Sequence, residues 1–339
     1  MIEQPSPPMP SARFFAVWTV FTLGTYLAVG SIAQLSHLAW GLWASQIVIN
    51  AGLATIGWQL NGLSASSAFG LKRFEGRSFG LGLAFGAVNY FAWVLPLTAI
   101  AEAVFPASWL ARFDSAQLYD RHSTIEVGLA MGAALLASPV CEELVFRGFI
   151  QRAFRDAPRG IVMTALIFSA FHFNPVNFIA LFQLGVVFGL LAWRGGSVWP
   201  AIGAHIASNT VSTALFFATT KGAEVAWWVP VLLFIVGNVT LVGLVKFASG
   251  RLRVHEPTQL VAIDRREPVR WFAPWVVGGL ASLVVLLLVD WRGVALNWID
   301  ARKLPSEATR NQVKEKRREA RAGELTFDEY EALLDQTKR

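Results

Sequence analysis

The sequence predicts an all-α protein: a polytopic transmembrane helix bundle of eight or nine spans with a short charged helical tail at the C-terminus. Three observations carry this. The 339 residues are 54% hydrophobic and 15% charged, where a soluble domain carries roughly 25% charged residues. The mean hydropathy is +0.47. The charge is also segregated: 18 of the 52 charged residues lie in the last 39, leaving 34 for the first 300. A water-soluble globule, a disordered chain and a disulfide scaffold are all excluded by this pattern.

A helix needs ~20 apolar residues to cross ~30 Å of hydrocarbon. Such runs occur at about 14–36, 38–60, 79–104, 125–149, 160–173, 178–193, 197–219, 225–247 and 271–290. Two, 160–173 and 178–193, are short, as tilted helices or helices packed inside a bundle can be. Phe173-Asn174-Pro175-Val176-Asn177 reads either as a turn between two helices or as a break in one. The 14 tryptophans, Trp18, Trp58, Trp109, Trp199, Trp227 and Trp271 among them, fall mostly near span ends, as an aromatic belt does.

The net charge of +6 does not point to nucleic acid, because the cations cluster in short connections between apolar runs. Lys72, Arg73 and Arg77 follow the second span, Arg147, Arg152, Arg155 and Arg159 the fourth, Arg194 the sixth, and Lys246 through Arg270 the eighth. The alternate connections hold only Arg112, Arg121 and Lys221. This bias predicts an integral, multi-pass membrane protein with a cytoplasmic N-terminus. Nine full crossings would put the basic tail outside, against the same rule, so a miscount with a cytoplasmic tail is the favoured reading. The segment before Arg13 holds Glu3, Pro5, Pro7 and Pro8 and lacks the basic start of a signal peptide, so residues 1–13 read as an N-terminal tail before a retained first span. Cys141 is the single cysteine and reads as a small buried hydrophobe.

The membrane domain is expected over 14–292 and the tail over 301–339. In the tail, helix formers over 311–322 are punctuated by Gly323, and Thr326 with Glu329 three residues on forms a capping-box pattern before Tyr330, Leu333 and Leu334. Leu325, Phe327, Tyr330, Leu333 and Leu334 form an apolar face, which makes the tail a candidate for homo-oligomer contacts. Gly323 to Glu331 resembles the short C-terminal modules appended to many bacterial membrane proteins.

Ionisable groups inside spans are costly and point to function. Here they form three clusters. In the first, Glu143 and Arg147 are i,i+4 with the acid N-terminal, so they pair and brace their helix. Adjacent helical residues point about 100° apart, so Glu142 faces elsewhere without a full counter-charge and is suited to accept a proton near neutral pH. In the second, Phe168 and His172 share a helix face at i,i+4; in the third, His205 and Asn209 do so in mid-span. Read separately, each has a structural explanation: a headgroup contact, a hydrogen bond, a polar clasp between helices. Convergence on one cavity is simpler and supplies a base, a water-orienting imidazole and two donors for a developing oxyanion, the parts for acyl hydrolysis without a covalent intermediate.

The three clusters, Glu142-Glu143-…-Arg147, Phe168-…-His172 and His205-…-Asn209, match in order the EExxxR, FxxxH and HxxxN motifs of the CAAX protease and bacteriocin-processing family of intramembrane endopeptidases. The chain resembles that family over about 125–217, with Ser138-Pro139, Phe146-Arg147-Gly148 and Trp193-Arg194-Gly195-Gly196-Ser197 similar as well. The resemblance implies an all-α bundle whose site opens from the cytoplasmic face. It implies that Glu142 activates water with His172, that His205 and Asn209 stabilise the oxyanion, and that Glu143 and Arg147, with Phe168, support the site. No cofactor is expected. Zinc held by His172, His205 and Glu142 is the minority alternative, since the spacing lacks HExxH. The expected partners are a peptide or membrane-protein substrate and the lipid bilayer. A non-catalytic scaffold or immunity-type protein on the same fold is the alternative function, and a proton-coupled transporter using Glu142 and His172 a weaker one.

Overall fold

The computed structural model describes residues 11–249, except 37, 62–67, 72–73, 75, 106–108, 111–112, 114–123, 155, 221–225 and 227, together with 313, 316–317, 319–320 and 323–336. Among the described residues there are helices and turns and no strand. The helices are α1 (12–36), α2 (38–59), α3 (76–104), α4 (124–153), α5 (Ala157–Phe171), α6 (Phe178–Gly195), α7 (Trp199–Thr220), α8 (Val229–Ser249) and, in the tail, α9 (Phe327–Gln336). The eight expected spans up to residue 247 fall on α1–α8; the ninth, 271–290, lies outside the described residues.

Among the described residues, five helical stretches are long and apolar enough to cross a membrane: Ala12–Gln34, Gly76–Val104, Ile125–Ala153, Phe178–Gly195 and Val229–Ala248. Helix α5, with 15 residues, is shorter. Helix α7 is long but carries six polar side chains between His205 and Thr213, and its residues 201–205 are all buried. Its apolar surface meets protein rather than lipid. Helices α1 to α4 each contain a π-helical turn, and α4 contains two, Ala133–Ala137 and Phe146–Ile150. A π turn shifts the phase of the residues that follow and occurs frequently at functional sites. Around Glu142 and Arg147 it keeps a run of ten residues, 141–150, buried.

Helices α3 and α7 run parallel and touch backbone to backbone. A Cβ on Gly86 would lie 2.1 Å from the carbonyl oxygen of Ala204, and one on Gly82 2.1 Å from that of Pro200. This four-residue spacing of small residues lets membrane helices approach closely. It fixes α7, and so His205, against α3. Helices α5 and α6 form a hairpin, and the 173–177 stretch is a turn between two helices. Phe173 takes φ 48°, and the Asn177 N–H donates to Asn174 Oδ1 at 3.0 Å. Proline at 175 cannot continue a helix.

The two ends of the bundle differ. At one end, Ser197 Oγ donates to the Gly70 carbonyl, and Arg152 approaches Gly70. The basic connections after α4 and α6 therefore meet there. The 173–177 turn lies at the opposite end of α5. Trp58, expected in the interfacial belt, is instead 1% exposed and packs edge-on against Phe15 and Phe149. Its neighbours on α1 and α4 are aromatic, so its ring has more apolar surface to cover inside the bundle than at the membrane surface.

The chain divides into two compact units, residues 1–101 with 115–276, and 102–114 with 277–339. In the second, Gly323 at φ 84° ends a helical stretch, and the expected capping box opens α9. Glu329 Oε2 accepts from the Thr326 N–H at 2.8 Å and from its hydroxyl at 2.7 Å, while the Glu329 N–H donates back to Thr326 Oγ1. These bonds hold the Glu329 carboxyl below its ordinary value. Tyr330 and Leu334 are buried with Ala320, against Val313, Leu325 and Phe327. Much of the expected apolar face is thus covered by the tail itself.

Candidate active site

Each motif arrives on a different helix: Glu142, Glu143 and Arg147 on α4, Phe168 and His172 on α5, His205 and Asn209 on α7. The two glutamates diverge as their spacing requires. Glu143 is fully buried, and its Oε1 accepts from Arg147 Nη1 at 2.9 Å, the expected i,i+4 brace. The same oxygen lies 2.9 Å from His205 Nδ1. The brace therefore reaches beyond its own helix and ties α4 to α7, a link that helical spacing alone does not show. Arg147 also donates through Nη2 to the Gly185 carbonyl on α6, at 3.0 Å. A Cβ at Gly185 would meet Ala165 at 2.9 Å, so the small residue sets the α5–α6 spacing at this contact.

Phe168 sits at the centre of this arrangement, 1% exposed. The Arg147 guanidinium lies 4.6 Å from its ring centroid, the His172 ring meets it edge-on at 4.6 Å and the His205 ring at 5.9 Å. The negative face of an aromatic ring attracts a cation, and more so away from water. Phe188 adds a second ring, 5.3 Å from the guanidinium and stacked on His205 at 4.8 Å. Phe188 is a site residue that the motifs do not contain.

Glu142 faces α2 and α5. Its Oε1 accepts two hydrogen bonds, from Ser138 Oγ at 2.8 Å and from Gln46 Nε2 at 2.9 Å. Its Oε2 is buried, has no hydrogen-bond partner among the described residues, and lies 3.9 Å from His172 Nε2. That separation is too long for a direct hydrogen bond. The tautomer of His172 follows from its other nitrogen. Nδ1 is 2.7 Å from the Phe168 carbonyl oxygen, which can only accept, so Nδ1 carries the proton and Nε2 of the neutral ring presents a lone pair. Two acceptors therefore face each other, on a histidine side chain that is 30% exposed. Glu143 Oε2 also lacks a partner, but Glu143 is sealed from solvent and already carries Arg147 and His205.

Asn209 is held elsewhere. Its Nδ2 donates to the Ala134 carbonyl on α4 at 2.8 Å, leaving one amide hydrogen for another acceptor. Cys141 is a buried free thiol. Among the described residues no three His, Cys, Asp or Glu side chains are grouped to hold a metal ion. The two histidines pair with different acids, His172 with Glu142 and His205 with Glu143.

The spacing singled out neither Gln46 nor Asn50. Both are buried, and Asn50 Nδ2 donates to Gln46 Oε1 at 2.9 Å. The available signal was two amides at i,i+4 in an otherwise apolar span, which must meet a polar partner inside the bundle.

No curated protein and no solved structure matches the chain. A family model does match, over residues 124–211, described as type II CAAX prenyl endopeptidase Rce1-like. The match opens at the first residue of α4 and closes two residues beyond Asn209, so it contains every motif residue of the site. Within this helical membrane protein, residues 124–211 are accordingly similar to the Rce1-like type II CAAX prenyl endopeptidases.

Proposed function

We propose that the protein is an intramembrane endopeptidase in which Glu142 and His172 activate a water molecule for attack on a peptide carbonyl. The observation that carries this reading is the pair of opposed acceptors, Glu142 Oε2 and His172 Nε2, 3.9 Å apart beside an exposed imidazole edge. A water that donates one hydrogen to each keeps its oxygen lone pair for the carbonyl carbon. On attack, its proton passes to Glu142, and from there to the leaving amine as the C–N bond breaks.

The developing oxyanion needs donors. Asn209 has one amide hydrogen beyond its bond to Ala134. In its imidazolium form, His205 keeps Nδ1–H on Glu143 and can donate from Nε2, with the Glu143 carboxylate as counter-ion. Arg147 and Phe168 hold that carboxylate and both rings in place. The chemistry so described runs without a metal.

The position of His172 supports a reading of access. His172 ends α5 next to the 173–177 turn, away from the basic connections at residues 152–159 and 194–197. A cytoplasmic N-terminus and a cytoplasmic opening therefore pull in opposite directions. We place the opening on the side of the turn, and membrane-impermeant thiol labelling of Pro175→Cys against Arg159→Cys assigns which side that is.

The decisive test is hydrolysis of a peptide library by the purified full-length protein in lipid nanodiscs, read by mass spectrometry, wild type beside Glu142→Gln. The variant keeps the shape of the side chain and removes proton acceptance, so the rate should fall by at least ~10². Equal turnover by the two proteins refutes the mechanism.

A further inference from the structure

We infer that Gln46, oriented by Asn50, is a positioning residue that selects the working oxygen of the Glu142 carboxylate. The inference rests on the peptidase reading above and concerns a helix outside the matched family segment.

Gln46 lies in the π-helical turn Ser45–Ala51 of α2, and both it and Asn50 are at most 1% exposed. A buried primary amide has two faces, an oxygen that accepts and a nitrogen that donates, and only one face suits a carboxylate. Asn50 decides which. Its Nδ2 donates to Gln46 Oε1 at 2.9 Å, which turns the Gln46 nitrogen outward from α2. That nitrogen donates to Ser138 Oγ at 2.7 Å and to Glu142 Oε1 at 2.9 Å, two neighbouring acceptors, with the Tyr26 hydroxyl a third at 3.4 Å. Ser138, having accepted from Gln46, directs its own hydroxyl proton to the same Glu142 Oε1 at 2.8 Å.

The result is a closed triangle of directed bonds. Among the described residues two donors converge on Oε1 and none reaches Oε2. The carboxylate is thereby made unequal. Oε1 is saturated and pinned to α2, while Oε2 points at His172 with its lone pairs unused. Without Gln46, Ser138 alone would hold Oε1, and a carboxylate held at one point can rotate and exchange its oxygens. Bonds to a charged group are the stronger kind, so one donor lost at a geometry-dependent base should be visible in the rate. Tyr26 completes the surround at the back of the amide, with its hydroxyl 3.4 Å from Gln46 Nε2 and its ring 4.9 Å from Phe171. Gln46 and Ser138 bond Oε1 and not the oxygen that faces His172, so the effect belongs to turnover rather than to substrate affinity.

The test compares purified full-length wild type, Gln46→Met, Asn50→Leu, the double variant and Glu142→Gln, with kcat and KM for one cleaved peptide and a thermal melt for each. Gln46→Met is unbranched, of similar length, and lacks both donors. The expected outcome is a fall in kcat of ~10- to 100-fold for Gln46→Met with KM within ~2-fold. Asn50→Leu should fall by a smaller factor. The double variant should match Gln46→Met alone, because Asn50 acts only through Gln46. A merely structural role would lower the melting temperature and the active fraction and would give independent, multiplicative losses. Wild-type kcat in folded Gln46→Met, or multiplicative losses in the double variant, overturns the inference. If Gln46→Met does not fold, Asn50→Leu decides: reduced kcat at unchanged KM supports the inference, and wild-type kcat overturns it. If wild type and Glu142→Gln cleave equally, the peptidase reading itself has failed, which is a different result from an active wild type with an indifferent Gln46.

Discussion

Replacing Glu143 by glutamine should damage the fold, while the same change at Glu142 should damage the rate. Glu143→Gln keeps the volume of the side chain and removes its charge. Arg147 is then left fully buried with a neutral partner and a bond to the Gly185 carbonyl. Breaking a buried ion pair by removing one partner costs about 3–5 kcal/mol, because the remaining charge stays desolvated. The aromatic rings of Phe168 and Phe188, 4.6 and 5.3 Å from the guanidinium, offset part of this, so the lower end, about 3 kcal/mol, is expected. That corresponds to a fall in melting temperature on the order of 10 °C. Arg147→Met should cost a similar amount by leaving Glu143 with His205 alone, and the double variant Glu143→Gln with Arg147→Met should cost clearly less than the sum of the two. Thermal and denaturant unfolding of the purified protein in one detergent measures all four species. Wild-type stability in Glu143→Gln, or additive losses in the double variant, would refute the argument that the pair is a neutralised, helix-bracing unit.

Other expectations follow from single contacts. Gly86→Leu should lower both yield and turnover, although Gly86 touches no substrate, because the new side chain must displace the Ala204 backbone 2.1 Å away and with it His205 on the next residue; expression level and kcat of Gly86→Ala and Gly86→Leu check the size dependence. Prolonged chelation should leave peptide hydrolysis intact, and loss of activity restored by substoichiometric zinc would make His172 and His205 ligands instead. In the tail, the carboxyl of Glu329 is held low by Thr326, so its contribution to α9 is present above the ordinary carboxylate range and is lost as pH falls through the lowered value. Protection of the amides at 327–330, measured against intrinsic exchange at each pH, should therefore fall on acidification, and in Glu329→Gln it should be low across the range. Deleting residues 306–339 should preserve hydrolysis of a short peptide, because no motif residue lies there; complete loss of turnover in a folded truncated protein would show that the tail belongs to the active unit.

What was legible in the sequence was what helical spacing determines. Glu143 and Arg147 at i,i+4, the divergence of Glu142, and the Thr326–Glu329 capping box are local relations, and the structure has each of them. So is the apolar run length, which located eight helices to within a few residues. The hidden features depend on which helices become neighbours. His205 was legible as a mid-span histidine but not as the partner of Glu143, 62 residues away. Gln46 meets Glu142 across 96 residues, and Asn89 meets Gln183 in a reciprocal amide pair across 94. In a soluble protein such amides would be unremarkable, because water could satisfy them. In a membrane bundle every one must find a partner inside, so each pair of buried amides constrains which spans pack together. Asn89 and Gln183 link α3 to α6, and Gln46 links α2 to α4. Those two contacts, with the Gly82 and Gly86 approach of α3 to α7, join helices outside the family segment to helices within it. Helices α2 and α3, silent in motif terms, therefore brace the motif-bearing helices, and substitutions at Gln46, Gly86 or Asn89 test that dependence without touching a motif residue.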